Sequence, residues 1–191
     1  IIFTSNSEKY KKMAKKISNI TIHDRNKKAS MSSAMEEDVL EDIRKNFKKQ
    51  KKALPDAVLW LRPTSPLRCL KTFETAYKLF KKNKKTVLVV HKEEPRLFYL
   101  GNNKYIKPIN PKMKKKSMLR GQECKPLLSI FSGEIFMYPN KYKKDFLGNQ
   151  KLHVVAPKYT KYDIDNEDDL KILNAMNIKK MTILKKFMHI K

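Results

Sequence analysis

The sequence predicts an α/β fold with a doubly wound, mostly parallel sheet, and three stretches carry that prediction. The run Ala57-Val58-Leu59-Trp60-Leu61, preceded by Pro55-Asp56 and followed by Pro63 and Pro66, is uninterruptedly apolar. It reads as a strand buried on both faces that ends in a stiff loop. Lys71–Lys82 carries Phe73, Ala76, Tyr77 and Phe80 on one helical stripe, and Thr86–His91 (TVLVVH) is apolar again. Strand, helix and strand of these lengths form a right-handed parallel crossover.

The remaining elements follow in chain order. Ile1–Thr4 reads as a short strand, and Ser7 caps a helix whose Tyr10, Met13, Ala14 and Ile17 are expected to face the core. Ile20–Ile22 is a second strand. Ser33 with Glu36 predicts a capping box for a helix with Met35, Val39, Ile43 and Phe47 at intervals of four. Arg96–Leu100, Gly101-Asn102-Asn103 and Lys104–Ile106 give a hairpin signal, which Pro108 and Pro111 close. Ser132–Tyr138 contains an apolar strand, Leu152–Val155 another, and Leu170, Leu173 and Met176 a final helix. From Lys179 a basic amphipathic tail with Ile183, Leu184, Phe187 and Met188 is expected to pack. His23 and His91 read as structural histidines rather than catalytic bases.

At 191 residues, with 40% hydrophobic and 33% charged side chains, the chain suits a single domain, 1–191, with its own core. No apolar run approaches the roughly 20 residues needed to span a bilayer, and Ile1–Ser5 is too short and uncharged for a signal peptide, so no membrane partner is expected and the cytosol is the expected compartment. Cys69 and Cys124 lack metal-ligand spacing and read as free thiols. A formal charge of +25 would ordinarily suggest a nucleic-acid partner. Lysine greatly outnumbers arginine, however, and is scattered along the chain, which argues for a solvated surface; duplex readers concentrate arginine where bidentate contacts form. A basic nucleic-acid-binding module stays open as the alternative function.

The candidate chemistry lies in two places. The loop Arg62-Pro63-Thr64-Ser65-Pro66-Leu67-Arg68 leaves a strand at the edge where open α/β sheets bind ligands, and it can hold Arg62, Thr64, Ser65 and Arg68 against a phosphate or carboxylate. Late in the chain stands Tyr162-Asp163-Ile164-Asp165-Asn166-Glu167-Asp168-Asp169-Leu170. In extended geometry Asp163 and Asp165 share a face, a pairing that suits a hard cation such as Mg²⁺ completed by substrate phosphates. The same acids also suit a helix start capped by Asn166. Arg120 is a natural carboxylate clamp, and Gly133 before a strand lets a ligand approach the backbone.

The octapeptide LRPTSPLR resembles the loop LQPTSPLR of the acylneuraminate (sialic acid and related nonulosonic acid) cytidylyltransferases. Further similarities are Thr4-Ser5-Asn6-Ser7-Glu8 to the family's Ser-Thr-Asp-Ser-Glu turn, Arg25 before a serine-rich loop containing Ser33, Arg120-Gly121-Gln122-Glu123 to Arg-x-Gln-Asp/Glu, Ser132-Gly133-Glu134-Ile135 to Asn-Gly-x-Ile, and Asp163-x-Asp165 to the family's metal aspartates. The resemblance implies a nucleotide-diphospho-sugar transferase-like sheet and transfer of CMP from CTP to an acidic nonulosonic sugar with release of pyrophosphate. It further implies Mg²⁺ on the catalytic pair Asp163 and Asp165, nucleotide contacts from Ser5, Arg25 and Ser33, and sugar contacts from Arg62, Thr64, Ser65, Arg68, Arg120, Gln122 and Gly133. Residues 92–126 correspond to a protruding arm through which two copies form a homodimer, and the basic run Lys112–Lys116 resembles residues that help bind the acidic sugar across it. Arg62 replaces the usual Gln, which leaves the precise sugar open; one extra residue separates Gln122 from Pro126, and Ser129 and Ser132 replace Tyr and Asn, which leaves its acyl substituent open. A different nucleotidyltransferase of the same sheet architecture, such as one for 3-deoxy-octulosonate, legionaminate or pseudaminate, is a second alternative. The family's amino-terminal Pro-Ala-Arg-Gly-Gly-Ser-Lys-Gly loop has no counterpart, so the chain is expected to be amino-terminally truncated, to take the loop from elsewhere, or to be a non-catalytic relative, and to bind CTP weakly on its own.

Overall fold

The computed structural model describes residues 1–114, 119–130, 135–137 and 147–176. The chain divides into two compact units, Ile1–Val58 with Met137–Asn149, and Leu59–Phe136 with Gln150–Lys191.

In the first unit β1 (Ile2–Ser5) and β2 (Thr21–Asp24) pair in parallel, joined by α1 (Glu8–Ala14). Ser7 caps α1 as expected, its hydroxyl accepting the Tyr10 N–H. The buried face of α1 differs from the expected one: Lys11 and Ala14 are buried, whereas Tyr10, Met13 and Ile17 are more than half exposed. Lys11 lays its stem against the unit and brings its ammonium to the carboxylates of Asp24 and Glu8, while α1 ends at Ala14, so Ile17 never joins a stripe. The next helix, α2 (Glu36–Lys49), starts later than the Ser33–Glu36 box implies. Met35 is its N-cap residue, and the Asp38 carboxylate accepts the Met35 N–H at 3.1 Å. Three acids, Glu36, Glu37 and Asp38, favour the positive end of the helix dipole at that point. Val39 and Leu40 are buried with Ile43 and Phe47 half-buried, but Met35 faces solvent. His23 is a packing residue: its Nε2 lies 3.0 Å from Asp42 Oδ2, and Asn46 Nδ2 donates to its Nδ1 at 3.0 Å.

The second unit is built around β4 (Thr86–Glu93), whose Thr86–His91 portion is fully buried. Strand order is β3-β8-β4-β7, with β9 also on β4, where β3 is Val58–Trp60, β7 Leu127–Ser129, β8 Ile135–Met137 and β9 Lys151–Val155. β4 pairs in parallel with β9 and antiparallel with β7 and β8, so antiparallel ladders join the parallel ones that the sequence implied. Unlike β4, β3 is only half-buried, because it lies at the end of the strand order. Helix α3 (Leu70–Asn83) buries Ala76 and Phe80 and sets Phe73, Tyr77 and Phe80 around Phe136 of β8, with ring centroids 5.3, 6.3 and 5.8 Å apart. The arm contains the expected hairpin, β5 (Phe98–Leu100) with β6 (Ile106–Pro108), in the register Phe98↔Pro108, Tyr99↔Lys107 and Leu100↔Ile106. Gly101 fits closely at its turn: a Cβ there would stand 3.1 Å from the Tyr105 carbonyl, which accepts the Gly101 N–H and would have to yield by a few tenths of an ångström. Met113, Leu119 and Cys124 give the arm a small buried cluster of its own. A final helix, α4 (Glu167–Ala175), follows the acidic run. Among the described residues no helix is long and apolar enough to cross a membrane. The tail from Lys179 lies outside the described residues, as do Lys115 and Lys116.

Candidate functional site

The proline-braced loop folds back on itself. Pro63 sets the second position of a turn in which the Ser65 N–H donates to the Arg62 carbonyl at 3.2 Å, a role for which proline's fixed φ is suited. The Arg68 guanidinium donates to the same carbonyl at 2.7 Å. Arg62 and Arg68 are half-buried, Pro63, Thr64 and Pro66 are exposed, and Ser65 is 2% exposed.

The buried hydroxyl of Ser65 donates to Asp163 Oδ1 at 3.2 Å, a bond between residues 98 positions apart. The Ile164 N–H donates to the Thr64 carbonyl at 2.9 Å, and also to Asp163 Oδ1 at 3.2 Å. The loop after β3 and the acidic segment before α4 are therefore stitched together within one unit. Asp163 and Asp165 lie in a connection that is neither helix nor strand, so no strand pleat sets their relative direction. Asp165 is exposed, and its backbone N–H is held by Asp169 Oδ2 at 2.9 Å. Asn166 caps α4 by accepting the N–H groups of Asp168 and Asp169 at 2.9 and 3.0 Å. The run thus divides its labour: Asn166 and Asp169 close the helix end, while Asp163 engages the loop.

Asp163 Oδ1 carries both of those donors, and among the described residues Oδ2 takes no hydrogen bond. No group of three or more His, Cys, Asp or Glu side chains that could hold a metal occurs among the described residues. The carboxylates of Asp163 and Asp165 are oxygen ligands of the kind Mg²⁺ takes one or two at a time, the rest of its shell being waters and phosphate oxygens.

Two other groups near this edge were not marked as site residues by sequence. His91, at the end of the buried part of β4, lies 2.7 Å by its Nε2 from Thr160 Oγ1, which itself donates to the Pro157 carbonyl at 2.8 Å. With the hydroxyl proton committed, the ring N–H is the donor. Burial, then the nearby Lys161 ammonium, hold His91 below its ordinary pKa, against the opposing pull of Glu93, so it is a neutral donor at physiological pH. Glu93 accepts the Ser129 hydroxyl at 2.5 Å and pairs with Lys161, and these two partners, Lys161 first, hold its carboxyl below the usual range. Cys69, a free buried thiol, sits at the N-cap of α3. Burial pushes that thiol up, but the polar groups around it, those of Thr72 first, outweigh burial and leave it below the ordinary value. Tyr159 is pushed up to about 12 by burial and by Cys69.

Other residues singled out in the sequence fall elsewhere. Arg120 and Gln122 are exposed on the arm, at the 3-10 turn Gly121–Glu123, where the Arg120 N–H is held by Glu123 at 3.0 Å. Gly133 lies outside the described residues. In the first unit the Ser5 hydroxyl is buried and accepts the Ser7 N–H, Arg25 donates to Thr4 Oγ1 and to the Thr4 carbonyl, both at 3.1 Å, and Ser33 is exposed. Arg25 therefore ties β2 to β1.

No family model matches the chain, and no curated protein matches it. Among solved structures, it is similar to the crystal structure of 4-diphosphocytidyl-2C-methyl-D-erythritol synthase from Anaerococcus prevotii, with a TM-score of 0.55 and 16% identity over 92% of this chain and 77% of that one. At that identity the likeness is one of fold alone, and the α/β class read from the crossover units is the class found, with a mixed sheet.

Proposed function

We propose that this protein is a cytidylyltransferase that moves CMP from CTP onto an acidic nonulosonic sugar and releases pyrophosphate. The observation that carries the reading is the junction of the Thr64–Ser65 loop with Asp163, by the Ser65 hydroxyl and the Ile164 N–H. It brings a proline-braced turn with two arginines and the Asp163 carboxylate, whose Oδ2 takes no hydrogen bond among the described residues, to one place, which suits a triphosphate with a divalent ion. Similarity of fold to a protein named for a diphosphocytidyl product supports the cytidylyl half, and the LRPTSPLR octapeptide supports the sugar half. Asp163 and Asp165 would hold Mg²⁺, which when bound neutralises charge on the phosphate oxygens. Arg62 and Arg68 orient the anionic groups, and the buried Ser65 fixes the Asp163 carboxylate. Catalysis of this type is mainly positioning and electrostatic stabilisation.

The protein should release pyrophosphate from CTP and Mg²⁺ when given sialic, legionaminic or pseudaminic acid, and not with neutral hexoses; release with 3-deoxy-octulosonic acid alone would point to a different nucleotidyltransferase. Absence of release across that panel, together with no heat of CTP binding by calorimetry, removes the reading.

The arm supports a second copy of the chain as partner. Leu100 is 86% and Tyr105 73% exposed on a hairpin of only two strands, and such a hairpin is marginal in isolation. The parent should sediment as a dimer and the double variant Leu100→Lys, Tyr105→Lys as a monomer. A parent that is monomeric at micromolar concentration would show that no second copy covers the hairpin.

A further inference from the structure

His91 and Glu93 are two residues apart in β4 and so point to one face of the strand. Both reach the turn Lys158–Lys161, His91 through Thr160 and Glu93 through Lys161, and the backbone adds the Ala156 N–H on the Val90 carbonyl at 2.8 Å. Glu93 is itself held from the other side by Ser129 of β7, at 2.5 Å. Shortly after Lys161 the chain delivers Asp163 to Ser65 and the Ile164 N–H to Thr64. The end of the most buried strand is thus joined to the segment that carries the acids by three links, of which the Glu93–Lys161 pair lies nearest in sequence to Asp163.

We propose that Glu93, braced by Ser129 and joined to Lys161, is a positioning residue that sets the affinity of the Asp163–Asp165 pair for its divalent cation without touching it. The inference rests on the reading of those two aspartates as cation ligands. Its physical ground is a difference of scale. A half-exposed ion pair adds little to global stability, so this one is not needed to keep the sheet folded. Displacing a carboxylate by a fraction of an ångström, by contrast, acts directly on coordination, and removing residues that orient metal ligands typically costs about 10–100-fold in metal affinity. Ser129 and Lys161 meet on one carboxylate from separate elements, which fixes it in two directions, as orientation requires.

The test uses Glu93→Ala, Lys161→Met and Ser129→Ala, with Glu93→Gln and Lys161→Arg as conservative partners. Two quantities are read: amide exchange at Ile164, whose N–H is bonded to Thr64, and the Mg²⁺ concentration giving half-maximal pyrophosphate release. Glu93→Ala and Lys161→Met should each speed Ile164 exchange and raise the Mg²⁺ midpoint by about tenfold or more, with the KM for CTP at saturating Mg²⁺ and the exchange of Val87–Val90 unchanged. Lys161→Arg should restore both, and the melting point should move by no more than about 2–4 °C. Should either variant lose its fold, Glu93→Gln and Ser129→Ala carry the same comparison. Unchanged exchange, or faster exchange with an unchanged Mg²⁺ midpoint, overturns the inference. If the parent shows no Mg²⁺-dependent release, the transferase reading fails, and equilibrium titration of Mn²⁺ onto parent and Glu93→Ala still decides whether Glu93 governs cation affinity: equal binding, or none, rejects it.

Discussion

Asp163→Asn is expected to lower Mg²⁺-dependent pyrophosphate release by about three orders of magnitude while leaving the fold intact. The asparagine oxygen still accepts the Ser65 hydroxyl and the Ile164 N–H now held by Oδ1, so the loop stays joined to the segment before α4. What disappears is one unit of negative charge at the place where a divalent ion would sit. Deleting a single neutral donor from a preorganised site costs about 10²–10³ in rate, and a missing ligand charge costs at least as much. Asp165→Asn should behave alike, since the Asp165 N–H, not its side chain, makes the bond to Asp169. Ser65→Ala provides the contrast: it keeps the charge and removes one of the two donors on Oδ1, so a loss of about tenfold is expected. The assay is initial-rate pyrophosphate release at a series of Mg²⁺ concentrations, with amide exchange at Ile164 reporting the junction. Turnover of Asp163→Asn within tenfold of the parent would take Asp163 out of metal binding.

The parts of this site that were legible in the sequence are those set by local chemistry. Pro63 fixes a φ angle wherever it stands, so the turn around Arg62–Ser65 could be read from its residues. Asn166 caps α4 through groups within three positions of it, and the hairpin turn follows from Gly101 and its neighbours. The direction of Ser65 could not be read, because its partner lies 98 residues away. The same holds for Glu93, which looks like an ordinary surface acid at the end of a strand until β7 and the Lys158–Lys161 turn are placed beside it. β7 is three residues long and follows Pro126, too short to show alternation. α1 misled for a different reason. Its apolar positions keep helical spacing, but the helix stops at Ala14, and the buried face is taken by a lysine whose charge is met by Asp24 and Glu8.

Phe136→Ala is expected to destabilise the protein by about 3–5 kcal/mol, the range for emptying a phenylalanine site in a packed core. Phe136 is 4% exposed, and the rings of Phe73, Tyr77 and Phe80 surround it at centroid distances of 5.3, 6.3 and 5.8 Å. Three aromatic side chains of α3 therefore rest on this one residue of β8, and none can fill the space without leaving its own position. Against a total of about 5–15 kcal/mol for a folded domain, such a loss is a large fraction. Urea unfolding should show a lower midpoint at an unchanged slope, with Phe136→Leu falling between variant and parent. The consequence reaches the site, because α3 begins at Leu70, directly after Arg68 and Cys69, and its seat on the sheet fixes where the loop must end. Phe136→Ala should thus release pyrophosphate more slowly even at temperatures where it remains folded. A loss below about 1 kcal/mol would mean that α3 is held by contacts other than this aromatic cluster.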